Sequence, residues 1–195
     1  MLKRLLILLF YVHSYVNAGT GLEKLPLCAT CHGTDGYAPQ KIWPHLAGQS
    51  QQYLYKQLQD YQQGRRVSSI MQTYASLLSE KEMLELSKYY SMLPEKSTIS
   101  SKPPSAKAET LYKVGRSKQK IPACIACHGV HGQGNGPAKY PKISQQHQAY
   151  LQEQLKAFKT KQRQNDTQHI MQDISSRLSE EDIKDISHYL SHHLH

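Results

Sequence analysis

Cys28-Ala29-Thr30-Cys31-His32 is repeated 96 residues later as Cys124-Ile125-Ala126-Cys127-His128, and these two stretches contain all four cysteines of the chain. A Cys-x-x-Cys-His sequence is the attachment motif of c-type haem. Two thiols three residues apart can add to the two vinyl groups of one porphyrin, and the adjacent imidazole reaches its iron. We therefore expect two covalently attached c-type haems, with His32 and His128 as iron ligands.

Two other uses of paired cysteines explain the motifs less well. A zinc site would leave each adjacent histidine without a role, and a thioredoxin-like dithiol would need a preceding strand and would not usually occur twice. With both pairs assigned to haem, no thiol remains for a disulfide.

The N-terminus has the pattern of an export signal. Lys3 and Arg4 precede an unbroken apolar run from Leu5 to Val12, and Val16-Asn17-Ala18 offers small residues for cleavage. Eight apolar residues are too few to span a bilayer, which needs about 20. We expect residues 1–18 to be a cleavable signal peptide, with a retained membrane anchor as the alternative. Export agrees with haem attachment, which takes place outside the bacterial cytoplasm.

The rest of the chain is an internal repeat whose offset grows from 96 to 97 and then to 100 residues. The offset of 97 pairs Pro44, Gln49, Tyr53, Leu54, Gln57, Leu58 and Arg66 with Pro141, Gln146, Tyr150, Leu151, Gln154, Leu155 and Arg163. A stretch rich in Pro, Ser and Lys separates the two copies and is typical of an extended linker. We expect one domain at 19–93, a linker at 94–107 and a second domain at 108–195.

Both repeats have helical periodicity and neither has a convincing pair of strands. Tyr53, Leu54, Leu58 and Tyr61 fall on one face of a helix. A later helix should begin after Ser79, with Glu82 completing a capping box; Ser179 with Asp182 is a weaker version. Met83, Leu86, Tyr90 and Leu93 should face inward from the later helix of the first repeat, and Ile183, Ile186 and Leu190 from that of the second. The predicted fold class is all-α.

Composition agrees with a cofactor-centred core. Only 38% of residues are hydrophobic, which is low for stand-alone domains of about 85 residues, since such domains bury little surface each. The formal net charge is +9, and removal of Lys3 and Arg4 would leave +7. A basic surface can steer a protein toward acidic partners or anionic lipid, and a surface that serves only solubility is the alternative.

The sixth iron ligand is predicted to be Met71 in the first domain and Met171 in the second. Of the five methionines, only these two occupy equivalent positions, just before the last helix of each repeat. A thioether ligand stabilises ferrous iron and raises the potential relative to a second imidazole. His169 competes with Met171, but its counterpart is Ser69, so we expect a surface histidine.

Two further positions support this picture. A carbonyl near Pro44 or Pro141 could accept the Nδ1–H of the proximal histidine and fix its tautomer, although a simple loop proline remains the alternative. The other histidines fit no ligand pattern, and we expect solvated surface for all of them: His45, His131, His147, His188, His192, His193 and His195.

These motifs resemble the dihaem class-I cytochromes c, specifically the cytochrome c4 family. The resemblance covers nearly all of residues 19–190. It rests on the two haem motifs, on 44–49 with Tyr53-Leu54 and Gln57-Leu58, on Met71, on Leu78-Ser79, and on the second-half counterparts of these residues. It implies two class-I cytochrome c domains, each wrapped around one covalent haem, related by a pseudo-twofold axis with haem propionate edges facing each other. Two glycines depart from the pattern, Gly48 becoming Gln145 and Gly64 becoming Lys161, which puts the backbone of the second haem loop in doubt.

The resemblance implies a periplasmic carrier of single electrons, typically from quinol–cytochrome c reductase toward a haem-copper terminal oxidase. The protein would be no enzyme, would bind neither nucleic acid nor a small-molecule substrate, and would associate with the membrane peripherally if at all. Two alternatives stay open. One is a dihaem peroxidase-like or other haem oxidoreductase, which needs a displaceable ligand and a distal acid–base group. The other is a fixed electron-transfer subunit of an oxidase or dehydrogenase complex.

Overall fold

The computed structural model describes residues 21–96 and 103–194. The predicted signal peptide and the middle of the predicted linker lie outside these residues. Within the described ranges, no helix is long and apolar enough to cross a membrane. Apart from two isolated bridges, Arg116–Ile121 and Asn135–Tyr140, the described residues form no β-structure. The all-α fold is confirmed.

Two sets of helices follow one another along the chain. A short 3-10 turn at Gly21–Lys24 opens the first domain, and its helices are α1 (Leu25–His32), α2 (Gln51–Gln62), α3 (Ser69–Ser76) and α4 (Glu80–Ser91). The helices of the second domain are α5 (Ala106–Lys113), α6 (Ile125–His128), α7 (Gln148–Lys159), α8 (Ile170–Ser176) and α9 (Glu180–His192), with 3-10 turns at Ser117–Gln119 and Thr167–His169. Helices α1 to α4 correspond to α6 to α9, so the structure repeats as the sequence does.

The last helix of each domain begins with a full capping box. Ser79 accepts a hydrogen bond from the backbone N–H of Glu82, whose side chain accepts one from the backbone N–H of Ser79. Ser179 and Asp182 make the same pair of bonds, so the second box is complete rather than the weaker version expected. These reciprocal bonds satisfy N–H groups that would otherwise lack partners at the helix start.

The predicted inward faces of α4 and α9 are confirmed at six of seven positions. Met83, Leu86 and Tyr90 are at most 3% exposed, and Ile183, Ile186 and Leu190 are at most 4% exposed. Leu93 is the exception, because α4 ends at Ser91 and leaves this residue half-buried beyond it.

The second domain has the larger described core, because α5 packs against α9. Tyr112 on α5 is fully buried and its ring lies 5.7 Å from that of Tyr189. The buried cluster of this domain comprises Ala108, Leu111, Tyr112, Ile121, Leu151, Leu178, Ile183, Ile186, Tyr189, Leu190 and Leu194. That of the described first domain comprises Leu78, Met83 and Leu86. At an offset of 96, α5 corresponds to residues 10–17, which lie outside the described ranges.

The replacement of two first-repeat glycines by other residues in the second repeat leaves the local backbone conformation unchanged. Gly48 has φ +67° and its counterpart Gln145 has φ +57°. Gly64 has φ +71° and Lys161 has φ +60°. The second domain therefore keeps a left-handed conformation that glycine adopts more readily, and the departure costs local strain rather than the shape of the loop.

Side chains from α2 and α7, with an arginine just beyond each helix, form a closed polar ring between the domains. Arg66 donates to Gln57 of its own domain at 2.8 Å and to Tyr150 and Gln154 of the other at 2.9 and 2.8 Å. Arg163 repeats this pattern with Gln154 at 2.7 Å, then with Tyr53 at 2.9 Å and Gln57 at 3.2 Å across the interface. Both arginines are buried. The two domains therefore exchange equivalent contacts.

Candidate haem sites

Each haem motif lies on a short helix that places the two thiols on one side. In the first domain, Cys28 and Cys31 are one turn apart on α1, and His32 is the last residue of that helix. Gly33 then takes φ +76°, where an added Cβ would lie 2.5 Å from the carbonyl oxygen of Tyr37. In the second domain Cys124 caps α6, and His128 ends it.

The proximal histidines are held by the carbonyls that the sequence suggested. The Nδ1 of His32 lies 3.0 Å from the carbonyl oxygen of Pro44, and the Nδ1 of His128 lies 2.9 Å from that of Pro141. A carbonyl can only accept, so Nδ1 carries the proton and the lone pair is on Nε2. That is the tautomer an iron ligand needs, and the predicted support of His32 and His128 by these carbonyls is confirmed.

Burial sets the charge of these groups. It lowers the pKa of both His32 and His128, while the bond to the proline carbonyl opposes the shift. Both imidazoles are therefore neutral near pH 7, as metal ligation requires. Burial also raises the pKa of the Cys28 thiol, and that of Cys124 to about 11.

The methionines fall into distinct environments. Met71 is the third residue of α3 and Met171 the second of α8, and both side chains are half-buried. Met83, by contrast, is core with 1% exposure, whereas Met92 is 73% exposed. The equivalent placement of Met71 and Met171 agrees with the predicted shared role, and ligation by their sulfurs stays a prediction.

His169 is exposed, and its Nδ1 lies 2.6 Å from the side-chain nitrogen of Gln172. It therefore has the surface position that was expected. The C-terminal histidines are also near one another, with the rings of His188 and His192 4.6 Å apart. Within the described part of the chain, no three histidine, cysteine or carboxylate side chains are arranged to hold a metal ion.

The expectation of solvated surface was wrong for His45 and His147, which meet between the domains. Their ring centroids are 3.9 Å apart. His45 accepts from the backbone N–H of Ala38 at 3.0 Å, and His147 donates to the carbonyl of the same residue at 2.9 Å. Burial, reinforced by the neighbouring His147 and Lys142, lowers the pKa of His45 to about 4. No ligand pattern marks these two histidines in the sequence, and in the structure both bond the backbone of Ala38.

The donor set fits haem in both domains. Each site combines two thiols one helical turn apart, a buried neutral imidazole with its Nε2 lone pair available for iron, and a methionine at an equivalent position before the last helix. The duplication of every member of this set is itself informative, since a chance cluster would not recur at matching offsets.

Comparisons with known proteins agree with this description. The family model "Cytochrome c" matches residues 25–93 and again 105–193. The cytochrome c4 of Thiocapsa roseopersicina is 38% identical over 165 residues, which cover 84% of this chain and 85% of that protein. The crystal structure of reduced recombinant cytochrome c4 from Pseudomonas stutzeri superposes with a TM-score of 0.84 at 34% identity, over 90% of this chain and 97% of that one. A protein of Stutzerimonas stutzeri named thiosulfate dehydrogenase electron acceptor is 33% identical over 84% of this chain and 77% of its own length.

The fold and the duplicated site define a dihaem electron-transfer protein built from two class-I cytochrome c domains, each carrying one covalently attached c-type haem. Two cytochromes c4 share more than a third of their residues with this chain over most of its length, which identifies the family within this class. The chain belongs to the cytochrome c4 family.

Proposed function

We propose that the protein carries single electrons in the bacterial periplasm, from quinol–cytochrome c reductase toward a haem-copper terminal oxidase. Cys28 and Cys31 would hold one haem and Cys124 and Cys127 the other. His32 with Met71 and His128 with Met171 would close the two iron coordination spheres. The observation that best supports this proposal is that His32 and His128 have the same tautomer, each fixed by a proline carbonyl about 3 Å away.

The surroundings of the two histidines favour a carrier over an enzyme. Each haem iron, when bound, takes up or releases one electron by changing between its ferric and ferrous states. A histidine whose ring is fixed by a backbone carbonyl resists displacement, which keeps rearrangement of this ligand small. A peroxidase-like site would need a distal acid–base group, and the one such candidate that differs between the repeats, His169, is exposed and bonded to Gln172.

A second candidate function follows from one relative. Its name makes it an electron acceptor of thiosulfate dehydrogenase, and it matches 84% of this chain. In that case the electron donor would be a dehydrogenase that oxidises a sulfur compound, and this protein would form a permanent or transient complex with it. The electron-carrying role of the two domains is the same in both proposals, and only the donor differs.

The place of action follows from the same argument. Haem attachment and the N-terminal apolar run both favour export to the periplasm, with cleavage after Ala18. The formal net charge that remains after this cleavage, +9 less Lys3 and Arg4 or +7, would allow peripheral association with anionic membrane surfaces.

The purified, haem-loaded protein allows a direct test. Magnetic circular dichroism of the ferric state should show histidine–methionine ligation at both irons. Stopped-flow mixing should show rapid oxidation of the reduced protein by a haem-copper oxidase and no peroxide turnover above that of free haem. Reduction by thiosulfate dehydrogenase but not by quinol–cytochrome c reductase would select the second donor. Bis-histidine or five-coordinate spectra, or rapid peroxide turnover, would contradict the carrier proposal.

A further inference from the structure

The peptide bond that supports each proximal histidine is also held by the opposite domain. The carbonyl of Pro44 accepts from His32, and the N–H of the same peptide unit belongs to His45. That N–H donates to the side-chain oxygen of Gln146 at 2.9 Å. The side-chain nitrogen of Gln146 returns a bond to the carbonyl of His45, also at 2.9 Å. The buried Gln146 is therefore hydrogen-bonded to both the backbone N–H and the backbone carbonyl of His45.

The second domain has the same arrangement. His128 bonds the carbonyl of Pro141, and the N–H of that peptide unit, on Lys142, donates to the side-chain oxygen of Gln49 at 2.9 Å. Gln49 in turn donates to the carbonyl of Lys142 at 2.9 Å. Pro141 and Lys142 lie 97 residues after Pro44 and His45, and His128 lies 96 residues after His32. Gln49 lies 97 residues before its counterpart Gln146, so the two supports cross between the domains.

We propose that Gln49 and Gln146 are positioning residues that act across the interface, each setting the basicity of the proximal histidine in the other domain. The inference rests on the proposed ligation of iron by His32 and His128. The physical basis is polarisation of a peptide unit. When its N–H donates to a buried acceptor, its carbonyl becomes a stronger acceptor, since hydrogen bonds in a chain reinforce one another.

A stronger carbonyl draws the Nδ1 proton of the histidine further from the ring. The imidazole then donates more electron density through Nε2, which favours ferric iron and lowers the reduction potential. Gln146 therefore lowers the potential of the first-domain centre, and Gln49 that of the second. Because these glutamines are also interdomain contacts, any change in the docking of the domains is felt at both proximal histidines.

Isosteric variants of the full-length, haem-loaded protein test the crossed pattern. Gln146→Met keeps the length and packing of the side chain and removes both hydrogen-bonding ends. We expect the reduction equilibrium constant of the first-domain iron to rise by up to about tenfold, the equivalent of one hydrogen bond, with little change at the second-domain iron. Gln49→Met should do the reverse. The two centres are distinguished by NMR-monitored redox titration.

Gln154→Met is the matched control, because Gln154 is an interface glutamine that bonds Arg66 and Arg163 and neither histidine-supporting peptide. It should disturb docking without the crossed shifts. Shifts at the centre in the mutated domain, equal shifts at both centres, or the crossed pattern in Gln154→Met would overturn the proposal.

A second measurement needs no variant. In the reduced, diamagnetic protein, the backbone N–H of His45 should show scalar coupling through the hydrogen bond to the side-chain carbonyl of Gln146, and Lys142 to that of Gln49. Absence of both couplings would overturn the proposal. Ferric spectra that lack histidine ligation in the wild type would refute the ligand assignment and this inference together. Histidine ligation with uncrossed shifts would refute this inference alone.

Discussion

Arg66 donates a 2.9 Å hydrogen bond to the phenol oxygen of Tyr150 in the opposite domain, and Arg163 donates one of the same length to Tyr53. Each guanidinium also lies over an aromatic ring of its own domain, 4.8 Å from the centroid of Tyr61 and 4.5 Å from that of Phe158. Within the described residues, no carboxylate pairs with either arginine. Two buried cations are therefore held by neutral partners that both domains supply.

Replacement of Arg66 by methionine should uncouple the domains. The change removes the bond to Tyr150 and leaves Gln57 and Gln154 with Arg163 as their remaining arginine donor. Loss of one member of such a buried polar network costs about 1–3 kcal/mol. Calorimetry of the haem-loaded protein should then resolve two unfolding transitions instead of one. Lys88→Met is the control, since it removes the same charge from an exposed side chain of α4. A single transition at the wild-type temperature would contradict the interface assignment.

Met71→Ala and Met171→Ala should each open one iron. Loss of the thioether lowers the potential of that centre and lets carbon monoxide bind its ferrous form. Optical titration with carbon monoxide should show about one equivalent bound per single variant and two for the double variant. A double variant that refuses carbon monoxide and keeps wild-type potentials would show that other groups ligate the irons.

The other methionines provide controls for these variants. Met83→Ala should destabilise the first domain by about 2–5 kcal/mol, because it leaves a cavity at a residue only 1% exposed, without admitting carbon monoxide. Met92→Ala, at a position 73% exposed, should change neither stability nor ligand binding. Together these separate a ligand effect from a general loosening of the fold.

The sequence predicted the parts of the molecule that local patterns encode. These parts are the two haem motifs, the inward faces of α4 and α9, and the proline carbonyls that support the histidines. Each is encoded by residues close together in the sequence, and each occurs in both repeats. The sequence did not predict the interface, because contacts such as Arg66 with Tyr150 join residues 84 positions apart. The sequence does contain an indication of this interface, because the polar residues Tyr53, Gln57 and Arg66 recur unchanged at a single offset.

Electron delivery to an acidic partner should slow as salt is added. The formal charge is +9 for the full chain and +7 without Lys3 and Arg4, and screening shortens the range over which such charge attracts an oppositely charged surface. The association rate should fall steeply with ionic strength, while the first-order transfer rate inside the complex stays constant. Stopped-flow rates that are flat from low to high salt would exclude electrostatic steering.

The described first domain should open more readily than the second. The 3-10 turn at Gly21–Lys24 contacts α4, but the described first domain has no helix that corresponds to α5, whose Tyr112 is fully buried against α9. Amide hydrogen exchange, resolved by segment, should be faster over 79–93 than over 179–190. Equal protection of the two segments would contradict this prediction.

Acid should weaken the second domain through Asp182. The paired guanidinium of Arg116, at 2.8 Å, lowers the pKa of this buried carboxyl well below its usual range, against the effect of burial. A depressed pKa stabilises the fold above the unfolded pKa of about 4, and this contribution is lost as pH falls below that value.

Asp182→Asn should therefore cost about 2 kcal/mol in urea unfolding at pH 7, and the difference from wild type should narrow below about pH 4. Asp173→Asn removes an exposed carboxylate that pairs with Arg177, and should cost less than about 1 kcal/mol at any pH. A cost for Asp182→Asn that is independent of pH would contradict the charge-based explanation.

The interface between the two domains is arranged like that of a two-fold symmetric homodimer. In such a dimer one surface patch binds its own copy, residue for residue. Here Tyr53, Gln57 and Arg66 on one half meet Tyr150, Gln154 and Arg163 on the other, so each half already holds both sides of the interface. Besides an ion pair of Glu95 with Lys142 of the second domain, at 3.0 Å, the connecting segment acts as a tether. Its contribution is a high local concentration, which makes pairing within one molecule prevail over pairing between two molecules.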